Sequence, residues 1–531
     1  MNDSTIKSQY TRADSDRQEL LERARFCASL TKPWVLPPED QTSNSKLPET
    51  FSSLAARGIA NLEGRLLLAL FPPGQPFFSL QPASRLQYAP DVDPEQYQTF
   101  MAGLHLQELL IQSKLEAADV SGRHNRKRTG FRSRKRTAIT QLLITGDVLE
   151  HLTDDYRIRV FRRDQYVTLR DSSGDVLYHI VTESVDPLAL TGEQRELGDI
   201  DTDVVEQKSV DDRMVDMFTK CEWHPITKKW IIQQEINNNI IAESEEDVTP
   251  FMSTPYELTP QENYGRGLIE TLLGDVRSLN ELKEKVLDFA AASSKILWAT
   301  DTTSQVRPRD LAKPSGSVIQ AKVNGGQIMD VGVLSTNKNN DFSVVYQTML
   351  QTRKDLAQAM LMEGESTPTG ERVTAYQVSR VAQELEGALG GVYAPIADNQ
   401  QVPLIDRMIY QMKKDKLFPP LPSDAVEIET LTGISALSRE HDQGKLLQTL
   451  QILSQFGPQL LERIDTTVLM DLLMRQANIH EPGLVKSEEQ IEQERQQAME
   501  QQQQAAGAQE ATKVAGDVVR SMATANGQGA A

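Results

Sequence analysis

One short segment concentrates the positive charge that phosphate binding requires. Residues 123–136 read RHNRKRTGFRSRKR, and eight of these fourteen residues are Lys or Arg. Clustered Lys and Arg side chains bind nucleic-acid phosphates through salt-dependent contacts. A phosphate-contacting patch is therefore one interpretation of this basic run. The side chains that define it are Arg126, Lys127, Arg128, Arg132, Arg134, Lys135 and Arg136.

The charge of the surrounding sequence favours a different interpretation. Residues 121–170 hold thirteen basic and five acidic residues, whereas residues 183–216 hold three basic and eleven acidic residues. Opposite charges on two segments can pair between neighbouring copies of a chain. We therefore place subunit pairing first, a nucleic acid or other anionic partner second, and a merely solvated face third.

Signatures of catalysis are missing from the sequence. It contains no Gly-rich Walker loop, no HExxH and no GxSxG. The acidic run at residues 199–203 lacks the Gly and Glu that a calcium loop needs at its sixth and twelfth positions. Cys221 and His224 are close in sequence, but two ligands do not make a zinc site. We predict no catalytic residue, no metal and no cofactor.

Composition limits the partners further. The net charge is −19, from 75 acidic and 56 basic residues, so the chain should repel DNA unless its positive charge is segregated. No stretch approaches the ~18 apolar residues of a membrane span, and no secretory signal is apparent. The two cysteines argue against a disulfide scaffold. We expect assembly in a reducing cytoplasm, without a membrane partner.

The rest of the chain is arranged around residues 361–412. Gly364, Pro368 and Gly370 predict a loop, because Pro lacks a donor and Gly disfavours helix. Thr374 then begins a long helix, which the glycines near 390 interrupt without ending its pattern. Its apolar positions recur every three or four residues. They are Val378, Val381, Leu385, Leu389, Val392, Ile396, Val402, Ile405, Ile409 and Met412.

Four stretches resemble one known family, in the order in which that family carries them. They are AARGIANLEGRLLLALFP at 55–72, YVTLRDSSGDVLYHIVT at 166–182, NYGRGLIETLLGDVRSLNELKEKVLDFAAASSKIL at 263–297, and TGERVTA with ELEGALGGVY from residue 369 onward. The family is the head-to-tail connector, or portal, protein of short-tailed, podovirus-type bacteriophages. None of the four is a catalytic motif, but together they span most of the chain.

The resemblance implies an α+β, mainly helical, portal-type subunit with a wing, stem helices, a β-containing clip and a helical crown, assembled as a ring. The boundaries that we assign are 1–262 for the N-terminal arm and wing, 263–298 for the first stem helix, 299–338 for the clip, 339–363 for the second stem helix, 364–373 for the tunnel loop, 374–425 for the long wing helix, 426–486 for the crown, and 487–531 for a Gln- and Ala-rich tail. The hairpin at 166–182 and a helix running from Gly267 to about Trp298 are further expectations.

The resemblance also implies a function. The ring, typically a dodecamer, would sit at one capsid vertex of the virion, where head and tail join. Double-stranded DNA would be packaged and ejected through its channel without sequence-specific contacts. The implied partners are the terminase motor, tail adaptor and tube proteins, scaffold, major capsid protein and internal core proteins. The alternative is a phage DNA-binding or tail structural protein without a channel.

Two sets of site residues follow from this resemblance. In the tunnel loop, Thr369, Glu371 and Arg372 are expected to face DNA, with Arg372 contacting phosphate. In the clip, Arg307, Arg309 and Lys313 are expected to dock the terminase or the tail.

Overall fold

The structure is a computed structural model that describes the chain in segments. Contacts divide the chain into one unit spanning Met1–Ser438 and another spanning Arg439–Ala531, and every described residue belongs to the first unit. The described residues are 5–39, 41, 45–73, 77–82, 100, 103–104, 106–115, 130–201, 205, 207, 209–293, 298–300, 302, 306–311, 313–314, 316–318, 320–324, 327–329, 331–333, 339–362, 380–381, 383–387, 391–417 and 426–430.

The helices differ widely in length, and the longer ones carry apolar residues at the three-or-four spacing that places them on one face. They are α1 (Ile6–Asp16), α2 (Gln18–Ser29), α3 (Leu54–Leu70), α4 (Phe131–Thr145), α5 (Gly192–Leu197), α6 (Val210–Arg213), α7 (Leu268–Thr271), α8 (Leu273–Ser293), α9 (Pro308–Leu311), α10 (Asn339–Ala359) and α11 (Tyr393–Lys414). Residues 106–115 and 383–387 are also helical.

Antiparallel strands form the rest of the regular structure. They are β1 (Phe78–Pro82), β2 (Asp147–Leu152), β3 (Ile158–Phe161), β4 (Tyr166–Arg170), β5 (Val176–Val185), β6 (Val215–His224), β7 (Lys229–Ile236), β8 (Asn239–Glu246), β9 (Phe251–Pro255), β10 (Trp298–Thr300), β11 (Val323–Asn324), β12 (Gln327–Ile328), β13 (Val331–Val333) and β14 (Val426–Thr430). Strands β4 to β8 make a five-stranded meander, and a second sheet has the order β3-β2-β9. The pairs β1–β14, β10–β13 and β11–β12 complete the pairing in the described segments. Helices and antiparallel sheets in one unit give the α+β class.

The predicted hairpin at 166–182 is confirmed as the pair β4–β5. The carboxylate of Asp171 accepts the N–H groups of Ser173 and Asp175 in its turn, at 2.8 and 2.9 Å. Gly174 has a φ of +95°, which glycine adopts without a steric penalty. The local turn residues therefore place this hairpin.

The apolar core is centred on α3. Ile59, Leu62 and Leu66 are fully buried there, and α3 contacts both α4 and α10. Each such side chain stabilises the fold by roughly 1.5–3 kcal/mol relative to exposure. The helix ends just before Pro72, whose ring cannot donate the next hydrogen bond.

The helix expected from Gly267 to about Trp298 is divided at Leu272 into α7 and α8. The ring of Phe289, near the end of α8, stacks on Phe342, near the start of α10, with centroids 4.5 Å apart. The chain thus runs in one direction along α8 and in the opposite direction along α10, and the two helices pack side by side. Strands β10 to β13 and the short helix α9 form an insert between these two helices.

The long helix expected after Thr374 is interrupted, as its glycines indicate. Helical residues 383–387 precede Gly391, whose φ of +88° breaks the helical path, and α11 begins two residues later. Residues 374–379 lie outside the described part of the chain. The interruption divides the apolar pattern into two helical segments.

Candidate functional site

The basic run does not form one exposed patch. Arg126, Lys127 and Arg128 lie outside the described residues, whereas Arg132, Arg134, Lys135 and Arg136 lie on α4. Arg132 donates a hydrogen bond to the carbonyl of Phe71, and Arg136 pairs with Glu63 of the same chain. Lys135 is fully buried. The predicted role of Lys135 in pairing with another subunit or an anionic partner is therefore corrected, because no second molecule can reach a charge inside the core.

Lys135 instead joins three elements in the interior of the subunit. Its Nζ lies 2.9 Å from Oε2 of Glu150 on β2 and 2.8 Å from Oε1 of Gln400 on α11. The ring of Phe71 lies 5.0 Å from the same ammonium. Burial lowers the pKa of Lys135, and the Glu150 carboxylate counteracts that shift. Lys135, Glu150 and Gln400 together therefore link α4, β2 and α11.

Further polar contacts hold α11 against the sheets. The amide of Gln400 donates to Oγ1 of Thr254 on β9 at 2.8 Å. Arg407, also buried, pairs with Glu246 at the end of β8 and donates to the carbonyl of Val248 at 2.7 Å. Because a buried charge needs such partners, these contacts fix the rotation of α11 about its axis.

Glu63 is a second buried ionic centre, which the sequence interpretation missed. Its carboxylate accepts hydrogen bonds from Lys32, Arg136 and Thr140. Lys32 follows the end of α2, and the other two donors lie on α4, so Glu63 links α3 to both. Burial alone would raise the pKa of Glu63, but these hydrogen bonds outweigh it and lower the pKa. The available signal was a polar residue inside the apolar run LEGRLLLAL.

Two stretches of backbone cross where Gly265 and Gly267 meet Gly146, and this crossing accounts for the glycines of the motif NYGRGLIE. A Cβ at Gly265 would lie 2.4 Å from the carbonyl oxygen of Gly146, and one at Gly267 would lie 3.0 Å from the nitrogen of Gly146. The Gly146 carbonyl accepts the N–H of Tyr256 at 2.8 Å. The chain entering α7 therefore touches the end of α4 backbone to backbone, which only glycine permits.

The insert between α8 and α10 contains the three basic residues predicted for docking. Arg307 and Arg309 are exposed. Lys313 differs, because its Nζ lies 2.7 Å from Oδ1 of Asp310. That ammonium, together with the backbone N–H of Arg307, lowers the pKa of Asp310. The two arginines present their charge to solvent, and Lys313 shares its charge with a neighbour.

The other residues considered in the sequence analysis are those of the tunnel loop and the Cys221–His224 pair. Thr369, Glu371 and Arg372 lie outside the described residues. Cys221 is buried beside Thr249, and Nδ1 of His224 accepts the N–H of Thr227 at 3.2 Å. No group of three or more potential metal ligands occurs in the segments that the structure describes. Those segments also contain no helix that is long and apolar enough to span a membrane.

Residues 3–485 match the sequence model of a family described as bacteriophage head to tail connecting protein. The match covers most of the chain, so this chain belongs to the head-to-tail connecting proteins, and the resemblance inferred from its motifs is confirmed. Its function is that of a portal, the connector between the head and the tail of a phage.

Individual relatives carry the same description. The chain is 28% identical to the portal protein of Escherichia phage T7, over 93% of this chain and 90% of that protein. It is 27% identical to the portal protein of Enterobacteria phage T3, over 99% and 96% of the two chains. Among solved structures, a chain from the neck of an empty GTA particle aligns with 80% of this chain and 90% of its own length, at 11% identity and a TM-score of 0.32.

Proposed function

We propose that copies of this chain form a closed ring, typically of twelve, at one vertex of a phage capsid. Double-stranded DNA would enter and leave through the channel of that ring without base-specific contacts. The role is structural, with no catalysis by the chain itself. Scaffold, capsid shell and internal core proteins would meet the outer parts of the ring, and a tail adaptor would extend it.

The observation that carries this proposal is the exposure of the α8–α10 pair. No side chain is buried between residues 281 and 290 of α8, or between 342 and 355 of α10. Helices owe most of their stability to packing of an apolar face. Yet large apolar side chains of this pair are solvent-exposed, namely Leu287, Val344, Tyr346 and Leu350. Neighbouring copies in a ring would cover them.

Ring closure also offers a use for the basic run. A closed cyclic assembly needs heterologous contacts, in which one face of the chain meets a different face of the next. Of the basic run, Arg126, Lys127, Arg128 and Arg134 remain candidates for pairing with the acidic residues 183–216. An anionic partner remains the second use for these charges.

The channel surface is assigned on the family resemblance alone. We propose that residues 364–373 line the channel, with Arg372 facing phosphate and Glu371 either pairing with Arg372 or repelling DNA. In a ring, one Arg per copy becomes a closed belt of charge. A mainly acidic channel with few such belts lets DNA slide, because each phosphate contact adds salt-dependent affinity.

Substitution of the exposed apolar residues is expected to dissociate the ring. In Val344→Glu/Leu350→Glu, two charges would be buried at each subunit contact, and the ring fraction should fall by about tenfold or more at equal concentration. Negative-stain electron microscopy and analytical ultracentrifugation measure that fraction. Ile226→Glu, in the exposed turn between β6 and β7, is the control for added charge. A wild-type protein that stays monomeric would favour a DNA-binding protein without a channel.

The insert is expected to dock the terminase through Arg307 and Arg309. The double variant Arg307→Gln/Arg309→Gln should keep the ring but weaken terminase binding by about tenfold at low salt, since two exposed charges are lost. Lys313→Gln/Asp310→Asn is the matched control and should bind almost normally, because both charges of this ion pair are removed together. Pull-down and packaging assays are the measurements. Equal loss in both variants would contradict this assignment.

A further inference from the structure

One face of α3 contacts the chain on both sides of residues 363–379. Gly58, Asn61 and Arg65 follow one another at intervals of three and four, so they share that face. All three belong to the motif AARGIANLEGR. Their contacts lie about 300 positions away, at the end of α10 and in the helical residues 383–387.

The first contact holds the end of α10. The side-chain amide of Asn61 donates to the carbonyls of Met360 and Leu361, at 3.0 and 2.8 Å. Carbonyls at the end of a helix have no partner within it. A Cβ at Gly58 would lie 2.0 Å from Sδ of Met360, so only glycine leaves room for this side chain. Asn61 and Gly58 therefore seat the last residues before 363.

The backbone at this point is strained. Leu361 has a φ of +52°. The N–H of Met362 bonds to the carbonyl of Ala357 at 2.8 Å, and the N–H of Leu361 bonds to Gln358 at 3.0 Å. This is the hydrogen-bond pattern of a helix end that normally has glycine in the left-handed position. A leucine there is disfavoured, and the Asn61 amide supplies compensating hydrogen bonds.

The second contact holds the chain after residue 379. The guanidinium of Arg65, almost fully buried, lies 2.7 Å from Oε2 of Glu384. Arg380 approaches the other oxygen of the same carboxylate, at 3.4 Å. Val381 and Leu385 are buried in the apolar core that includes α3. One helix face thus fixes the chain at both ends of the segment.

We infer that α3 is a brace for the chain on either side of residues 363–379, with Asn61 positioning residues 360–362 and Arg65 positioning residues 383–387. The inference rests on the proposed channel role only for its functional consequence. The brace itself rests on the contacts of the described residues. It gives the motif AARGIANLEGR a role beyond filling the core.

Hydrogen exchange measured by mass spectrometry on the assembled full-length protein tests the brace. In Asn61→Ala, amide exchange in residues 353–362 is expected to rise about tenfold, while exchange in α11 stays unchanged. Asn61→Asp should behave in the same way, because a carboxylate has the shape of the amide but no N–H to donate. Arg65→Met is expected to affect mainly residues 380–387. Arg57→Gln, exposed on the same helix, is the matched control.

Four results are informative. Unchanged exchange in 353–362 would overturn the brace, and so would a rise of equal size in α11, since that indicates general destabilisation. Wild-type behaviour of Asn61→Asp would also overturn it, because packing rather than donation would then be at work. A local rise with unaltered DNA retention in packaged particles would support the brace and count against the channel role of the loop.

Discussion

Replacing Lys135 with alanine is expected to destabilise the single subunit by about 3–5 kcal/mol, because the change leaves a buried carboxylate without its partner. Glu150 and Lys135 are both completely buried at the side chain. Gln400 would also lose the donor to its Oε1. Chemical denaturation of the purified protein, followed by circular dichroism, measures the change.

Two further variants separate the charge from the packing. Lys135→Met/Glu150→Gln removes both charges with little change in volume, so it should recover much of the lost stability. Arg134→Gln, on the neighbouring and half-buried position of α4, should lie within about 0.5 kcal/mol of wild type. The idea fails if Lys135→Ala is as stable as Arg134→Gln.

The salt dependence separates this role from surface pairing. An exposed pair between subunits weakens at high salt, whereas a buried pair is screened far less. The loss in Lys135→Ala should therefore be nearly the same at low and high ionic strength. The basic run does not act as one surface, because Lys135 contributes to folding of the subunit.

Gly265→Ala is expected to be at least as damaging, with a loss of about 4 kcal/mol or more and little soluble protein. The new methyl group would lie 2.4 Å from the Gly146 carbonyl oxygen and 2.8 Å from the nitrogen of Tyr256. Both neighbours are backbone atoms, which cannot move aside as a flexible side chain can. Gly146→Ala should be similarly severe, since its φ of +81° also disfavours alanine.

A glycine elsewhere provides the control. Gly64 lies within α3, and nothing lies within 4 Å of the position that its Cβ would occupy. Gly64→Ala should therefore stabilise the protein by about 0.5–1 kcal/mol, because alanine favours helix. Soluble yield and thermal unfolding would be compared for both variants. Comparable stability of Gly265→Ala and Gly64→Ala would refute the crossing as the reason for these glycines.

The sequence alone determined much of the local structure. The hairpin at 166–182 follows from its alternating pattern and its turn residues, and the end of α3 follows from the proline at position 72. Such signals act between neighbours in the chain, so they can be seen without a fold. The family was also evident, because its motifs occur in order along the sequence.

The tertiary structure decided what the individual polar residues do. Lys135 is 265 positions from Gln400, and Asn61 is 299 positions from Met360. No local period predicts contacts at such separations. A lysine within a basic run carries the same sequence signal whether it is solvated or buried beside a carboxylate. Only the packing of α4 against β2 and α11 removes Lys135 from solvent, because that packing surrounds its ammonium with protein atoms on every side.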